Sequence, residues 1–186
     1  MNRILRFHHI VMAGVVAAAA LSVPSAARGE SLDAAMPAAI AVPSGHSEFL
    51  VTEAAGVQTY SCNATANGFG WSFVAPRADL SGKNGRLVGT HFGGPTWQAR
   101  DGSSVVAARV GGVTVDPTAI PWLLLSTVST TAGHDGDRLV DTTYIQRTAT
   151  DGGLAPAASE CNEATVGTTV DVPYTATYHF WKATGR

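Results

Sequence analysis

The chain has 186 residues, a formal net charge of −2, 45% hydrophobic residues and only 14% charged residues. That length and composition are typical of a single globular domain and exclude a disordered or collagen-like chain. The near-neutral charge gives no basic footprint for nucleic acid or anionic lipid, and two cysteines are too few for a four-cysteine zinc site.

The first 27 residues have the three-part layout of a secretory signal peptide. Arg3 and Arg6 form a short basic start, and an apolar run rich in Ala and Val follows over residues 10–23. Small residues at 24–27 (PSAA) end the run and predict cleavage after Ala27. Because a run of about 14 residues is short of the ~20 that span a bilayer, we expect a secreted or periplasmic protein with no membrane span after signal removal.

A short lead-in and then one domain are expected after the signal. Residues 28–47 mix Ala, Pro, Gly and Ser without a clear period, which predicts a loosely ordered segment. A single all-β domain is predicted over residues 48–186. Removal of residues 1–27 takes away two basic residues and no acidic ones, so the mature chain is mildly acidic.

Turn signals and short apolar runs predict that this domain is all-β. Five dipeptides of the type that favours tight turns punctuate it: Asn67-Gly68, Asn84-Gly85, Asp101-Gly102, Asp135-Gly136 and Asp151-Gly152. Runs of strand length lie between them, at 57–62, 69–73, 87–92, 104–110, 122–131, 139–148 and 174–181. We predict a single β-sandwich or partly closed β-barrel of about seven to nine mostly antiparallel strands.

Two of the runs also predict which side chains are buried. In the last run, Tyr174, Ala176, Tyr178 and Phe180 alternate with more polar residues and share one face. The run 122–125 (WLLL) is apolar on both faces, which predicts a central strand that is covered on both sides, with Trp122 nearly fully buried.

The predicted export gives the two cysteines a simple interpretation. In an oxidising compartment, two thiols in a small domain most simply form one disulfide, Cys62–Cys161. The alternative is a free, reactive cysteine, but neither residue has a neighbouring His or Lys that would lower its pKa.

Several spaced motifs, in a fixed order, resemble those of a known family. They are GVQxYxC at 56–62, GxHxxGPxW at 89–97, DGS at 101–103, IPWLLL at 120–125, IQRxxTxGG at 145–153, Cys161 and YxAxY at 174–178. Over about residues 47–181 the chain resembles a family of small secreted bacterial and fungal proteins known as a domain of unknown function, serial three-four-five-five. The resemblance implies export and one compact domain, and it supplies no established catalytic residues.

Some members of that family carry the label malate dehydrogenase, which the residues of this chain argue against. The nearest approach to a dinucleotide-binding loop is the segment 68–73 (GFGWSF), which lacks the third glycine and opens a strand rather than a helix. We therefore reject a nicotinamide-dependent dehydrogenase and expect no cofactor.

His91 is the first candidate for a functional site. If its strand is regular, Gly89 and Gly93 flank it on one face, which leaves space beside the imidazole. One hypothesis is a pocket in which His91 acts as a base or ligand, with Asp101 or Arg147 nearby. The other, which the sequence favours, is a buried histidine held by a backbone group, with the glycines shaping a bend.

Two more specific arrangements of these residues are disfavoured. A triad of Ser103, His91 and Asp101 lacks the Gly-x-Ser-x-Gly elbow, and the segment 101–103 is better explained as a turn with local side-chain bonding. A metal site is not predicted, because His91, His134 and His179 are scattered and form no pair at ligand spacing.

The remaining candidates are one arginine and two tryptophans. Arg147 could make a structural hydrogen bond to a loop carbonyl, or it could clamp an anion. Trp97 and Trp181 neighbour polar or loop residues, so we expect them to be the most exposed aromatic side chains and candidates for ligand binding, such as stacking on a sugar ring.

The function most consistent with these features is that of an exported, non-enzymatic envelope or extracellular protein that binds a glycan or a small molecule. One alternative is a small hydrolase or lyase that uses His91 and Asp101. The other is a structural or stress-related secreted protein without a small ligand.

Overall fold

The computed structural model describes residues 36–185, and the predicted signal peptide lies outside the described residues. Eight strands follow one another in this range: β1 (His46–Thr65), β2 (Gly68–Ser81), β3 (Leu87–Phe92), β4 (Thr96–Ala99), β5 (Ser104–Val113), β6 (Trp122–Thr131), β7 (Thr142–Gly152) and β8 (Thr169–Ala183). Two single 3₁₀ turns, Ala38–Ile40 and Ala158–Glu160, are the helical segments found there. Across residues 36–185, no helix has the length and the hydropathy that a membrane crossing needs.

All eight strands belong to one antiparallel sheet that closes on itself. Each strand pairs with its successor, and β1 also pairs with β8, so the strands form a closed barrel. The all-β prediction is confirmed, in the form of a single closed sheet rather than two sheets packed face to face.

Four of the five predicted turn dipeptides lie at strand connections, and the fifth does not. Gly85 and Gly102, for example, adopt φ values of +72° and +86°, which glycine reaches without strain. Asp151 and Gly152 instead end β7 and pair with β8, so the prediction of a turn between strands is wrong there.

The barrel interior is filled by alternate side chains from every strand. On β8, Tyr174, Ala176, Tyr178 and Phe180 are all buried, which confirms the face predicted from the alternation. They pack with large residues of the other strands, including Leu80, Trp97, Val105, Leu125 and Ile145.

The outer face of β6 is covered by the segment that precedes β1. Leu125 joins the interior core, whereas Leu124 points to the opposite face and is also buried. Beside it, an ideal Cβ on Gly111 would lie 2.1 Å from the Ala39 carbonyl oxygen, so only glycine permits this close contact. Ile40, in the same segment, is completely buried. Both faces of this part of β6 are therefore covered, as predicted.

Trp122 does not follow that prediction. It is the first residue of β6 and is only half-buried, not nearly fully buried as the apolar run suggested. The physical reason is its place at the end of the strand, where the chain has only just entered the barrel wall from the connection that ends at Pro121.

The predicted disulfide is confirmed. Cys62 and Cys161 are bonded, with their Cα atoms 5.3 Å apart, and both residues are buried. The bond ties the end of β1 to the long connection between β7 and β8. There is consequently no free cysteine in the described part of the chain.

Candidate functional site at one end of the barrel

His91 lies in the aromatic part of the barrel core. It pairs with Trp97 across β3 and β4, and the two rings stack with their centroids 4.1 Å apart. The ring of Tyr178 meets the imidazole edge-on at 5.2 Å. His91 is 3% exposed, and its Nδ1 donates a hydrogen bond to the Thr96 carbonyl oxygen at 2.9 Å. This is the arrangement expected of a histidine held by a backbone group.

Burial also fixes the charge of His91. Removal from water lowers its pKa to about 4, and the nearby positive charge of Arg147 acts in the same direction, while the bond to Thr96 opposes them. The imidazole is therefore neutral near pH 7. Because a carbonyl oxygen only accepts, the proton is on Nδ1, and Nε2 is left as the acceptor.

The two glycines beside His91 do not open space around the ring in the way the sequence suggested. An ideal Cβ on Gly89 would lie 2.4 Å from the Gln98 carbonyl oxygen, so the neighbouring strand already fills that position. Gly93 is looser, since its Cβ would lie 3.3 Å from the Cβ of Ala75. The absence of a side chain at Gly89 thus allows β3 and β4 to lie this close together.

A pocket of about 200 Å³ lies next to His91, at the end of the barrel that carries the β3–β4 turn. Its apolar wall includes Phe73, Pro76, Leu123 and Leu125, together with the indole of Trp97. Its polar lining consists of Gln58, His91, Arg109, Arg147 and Tyr178. An apolar cavity with a few convergent polar groups is the usual form of a small-molecule site.

Arg147 is the half-buried charged group of this pocket. Its Nε and Nη2 donate to the Pro121 carbonyl oxygen at 3.1 and 2.9 Å, which is the structural hydrogen bond considered in the sequence. Its positive charge lowers the pKa of His91. Burial raises the pKa of Tyr178, and the positive charge of Arg147 opposes that rise. Within residues 36–185, no carboxylate forms an ion pair with Arg147.

Two buried donors in the lining have no partner. Gln58 and Trp97 both line the pocket, and in the described chain neither Gln58 Nε2 nor Trp97 Nε1 has an acceptor at hydrogen-bond distance, although Gln58 lies close enough to the Tyr174 hydroxyl to lower the pKa of Tyr174. An unsatisfied buried donor costs about 1–3 kcal/mol, so such groups in a native fold usually mark the place of a water, an ion or a ligand.

Asp101 is not part of this pocket. Its carboxylate accepts hydrogen bonds from the backbone N–H and the hydroxyl of Ser103, at 2.9 and 2.6 Å, and from Arg138 N at 2.9 Å. The bond from the Ser103 hydroxyl is the main cause that lowers the pKa of Asp101. Asp101 thus organises a turn and does not line this pocket, whereas His91 is bonded to Thr96, so the geometry gives no support to the hypothesis that Asp101 works beside His91.

The expected exposure of the two tryptophans is also wrong. Trp97 is 1% exposed, because the short strand β4 turns it into the barrel opposite His91. Trp181 is half-buried, and its Nε1 donates to Gln146 Oε1 at 2.9 Å. Their roles in ligand binding stay predictions, and of the two residues only Trp97 lines the pocket.

The histidines considered as metal ligands lie apart. His134 is exposed and contacts Asp135 at 2.8 Å, while His179 lies between Glu48 and Thr148. Over the described range, no three His, Cys, Asp or Glu side chains gather into a metal-binding group.

Sequence reasoning missed Gln58, Arg109 and Tyr178 as members of one site. Arg109 offered a signal, because it stands in a run of small apolar residues on a predicted strand, at 104–110 (SVVAARV). An arginine at an inward-facing position of such a strand is unusual and indicates a specific structural or functional role. The other two carried no signal beyond their places in the family motifs.

Comparison with known proteins bears on the whole of this domain. A search of curated proteins and a search of solved structures each found no match. One family model does match, over residues 43–182, and its description is "Protein of unknown function (DUF3455)". The match covers the barrel from just before β1 to the end of β8, with both cysteines and every residue of the pocket. The chain belongs to the DUF3455 family.

Proposed function

We propose that this protein is an exported, non-enzymatic binding protein that holds a small molecule in the pocket at the β3–β4 end of its barrel. The observation that carries the proposal is the lining of that pocket. It combines apolar walls with two buried donors, Gln58 Nε2 and Trp97 Nε1, that have no partner in the described chain. A bound molecule with acceptor atoms would satisfy donors that are otherwise costly to bury.

Binding is favoured over catalysis by the state of the titratable groups. A histidine whose pKa is about 4 is a weak general base near neutral pH. Burial raises the pKa of Tyr178, so its hydroxyl stays protonated. Asp101 is engaged in its turn and does not line the pocket. No nucleophile and base are paired among the lining residues.

A small molecule is favoured over a glycan by the burial of the aromatic rings. Sugar-binding platforms need an open indole face, and the face of Trp97 is covered by His91. A volume of about 200 Å³ also suits a small molecule better than a chain of sugars.

Export is supported by the disulfide and by the sequence of the first 27 residues. The test is mass spectrometry of the protein exported from a bacterial host that expresses the full chain. We expect a start at Arg28 and a mass two hydrogen atoms below that of the reduced chain. A secreted chain that retains residues 1–27 would contradict this part of the proposal.

Binding is tested with a fragment library and ¹⁵N-labelled tryptophan. The indole N–H signal of Trp97, assigned with Trp97→Phe, reports on the pocket, and we expect bound fragments to shift it and to raise the melting temperature. Leu123→Trp fills the pocket and should abolish both effects. Leu87→Trp is the matched control, because Leu87 is exposed and does not line this pocket. The proposal is wrong if no fragment shifts the Trp97 signal, or if the shifts survive in Leu123→Trp.

A further inference from the structure

We infer that the molecule held in this pocket is an organic anion: a carboxylate on a compact apolar body, clamped by Arg109 and Arg147. This inference rests on the proposed function, since it names the chemical class that the same pocket takes. Three independent features of the pocket carry it.

The first feature is uncompensated positive charge. Arg109 pairs with Leu125 across β5 and β6, and Arg147 pairs with Leu123 across β6 and β7, so both arginines share the inward face of these leucines. Both line the pocket, and no Asp or Glu does. Arg147 is half-buried and Arg109 is exposed, and a guanidinium that is partly withdrawn from water, as that of Arg147 is, is normally paired with a carboxylate. Here the protein supplies none within the described residues, and a bound anion would take its place.

The second feature is the free hydrogen-bonding capacity of the two guanidinium groups. Arg147 donates to the Pro121 carbonyl oxygen from Nε and Nη2 and also lies close to the Tyr178 hydroxyl, which leaves no more than three of its five N–H donors for a ligand. The side chain of Arg109 makes no hydrogen bond or ion pair in the described structure. Its Nη2 lies 2.6 Å from the position that a Cβ on Gly112 would occupy. Gly112 thus leaves room for this guanidinium against the barrel wall. A guanidinium fork matches the two oxygens of a carboxylate.

The third feature limits the rest of the ligand. The orphaned groups, Gln58 Nε2 and Trp97 Nε1, are donors, so they add to the demand for acceptor atoms. His91 is neutral and adds no third positive charge to those of Arg109 and Arg147. The remaining wall is apolar, with Phe73 and Leu123 among its members, and the volume of about 200 Å³ has room for one aromatic ring or a short aliphatic chain. A small, highly hydrated inorganic anion would leave that wall unused.

The experiment compares matched pairs that differ only in charge. Benzoate is compared with benzamide, phenylacetate with phenylacetamide, and butyrate with butyramide, at constant ionic strength, with inorganic phosphate as a further probe. Dissociation constants come from titration of the Trp97 indole signal. We expect each carboxylate to bind at least about tenfold more tightly than its amide, and more tightly than phosphate.

Variants then assign the preference to the arginines. Arg109→Gln should remove most of the preference without loss of stability, because Arg109 is exposed and has no partner in the described structure. Arg147→Lys keeps the charge and a donor for Pro121 but loses the fork, and it should weaken carboxylates more than amides. Arg86→Gln is the matched control, because Arg86 is exposed and does not line this pocket.

The outcomes separate the two proposals. If amides bind as tightly as carboxylates, the inference of an anion is wrong and the proposed binding function stands. If neither class shifts the Trp97 signal, the inference of an anion is wrong, and the proposed binding function is decided by the fragment library. If phosphate binds as tightly as the carboxylates, the pocket is an inorganic anion site and the organic ligand is wrong. If carboxylates are preferred equally in Arg109→Gln, Arg147→Lys and Arg86→Gln, the arginine clamp is wrong.

Discussion

The imidazole of His91 lies almost parallel to the indole of Trp97, with an angle of 12° between the two planes. The pair is nearly inaccessible to solvent, and Tyr178 closes it from the side, 5.2 Å from the imidazole and 5.4 Å from the indole. Both rings also border the pocket. The wall of the candidate site is therefore part of the barrel core, and a change in the core should also change the site.

The pKa of His91 predicts a loss of stability in mild acid. Burial lowers this pKa to about 4 in the folded protein, against about 6.5 in the unfolded chain. As the pH falls from 6.5 to 4, the unfolded chain takes up a proton that the folded protein does not, so the free energy of unfolding falls. The contribution of His91 should be about 3 kcal/mol across this window. Urea unfolding of the wild type at several pH values measures it.

Two variants isolate that contribution. His91→Phe keeps a buried ring but cannot titrate, so the part of the pH dependence between pH 4 and 6.5 that belongs to His91 should disappear. His91→Asn removes the stacked ring and leaves an unmatched group, which should cost about 1–3 kcal/mol at pH 7. An unchanged pH profile in His91→Phe would mean that His91 is not buried in its neutral form.

The burial of the tryptophans predicts unequal costs of truncation. Trp97→Ala removes a fully buried side chain and should cost about 3–5 kcal/mol. Trp122→Ala removes a half-buried side chain at the start of β6 and should cost less than half as much. Chemical unfolding of both variants under one condition gives the comparison, and equal losses would contradict the burial described for these two residues.

Removal of the disulfide should destabilise the barrel strongly. The bond between Cys62 and Cys161 joins residues 99 positions apart in the sequence, and restriction of so long a loop in the unfolded chain is worth about 4–5 kcal/mol in the chain-entropy model. The double variant Cys62→Ala, Cys161→Ala should therefore melt far below the oxidised wild type. The same melting temperature in the double variant would show that the bond contributes nothing.

Asp101 should matter for stability and not for binding. Asp101→Asn weakens the charged acceptor that holds Ser103 and Arg138, and loss of one such bond typically costs about 1.5–3 kcal/mol. Because the folded protein lowers the pKa of Asp101, its contribution is present above the unfolded pKa and is lost as the pH falls through the folded pKa. Fragment binding at the Trp97 signal should be unchanged in this variant. A selective loss of binding would place Asp101 in the site after all.

The sequence was sufficient for features that depend on neighbours along the chain. Turn dipeptides such as Asn84-Gly85 and the alternation from Tyr174 to Phe180 report local geometry directly, and they predicted the all-β class and one buried face. The disulfide followed from the number of cysteines and the expected compartment. None of these inferences required the pairing of distant strands.

The candidate site depends on that pairing, which is why it was only partly predicted. Arg109 and Arg147 lie on β5 and β7, and they meet at one pocket only because β6 pairs with both of these strands in a particular register. Similarly, the polar and loop neighbours of Trp97 suggested exposure, whereas the register opposite His91 turns its ring inward. Local composition cannot report a register that is set by the closure of the sheet.

That closure has a consequence for the order of folding. β1 and β8 are the first and last strands, and they are paired from His46 with Ala183 to Ser61 with Thr169. When the chain emerges from its N-terminus, one edge of β1 stays unpaired until β8 is present. Pairing of the first strand with the last gives a high contact order, which slows folding. Until then the edges of β1 and β7 both remain open to other chains. Loss of β8 would therefore leave the edges of both β1 and β7 unpaired, which would favour aggregation over a smaller stable domain.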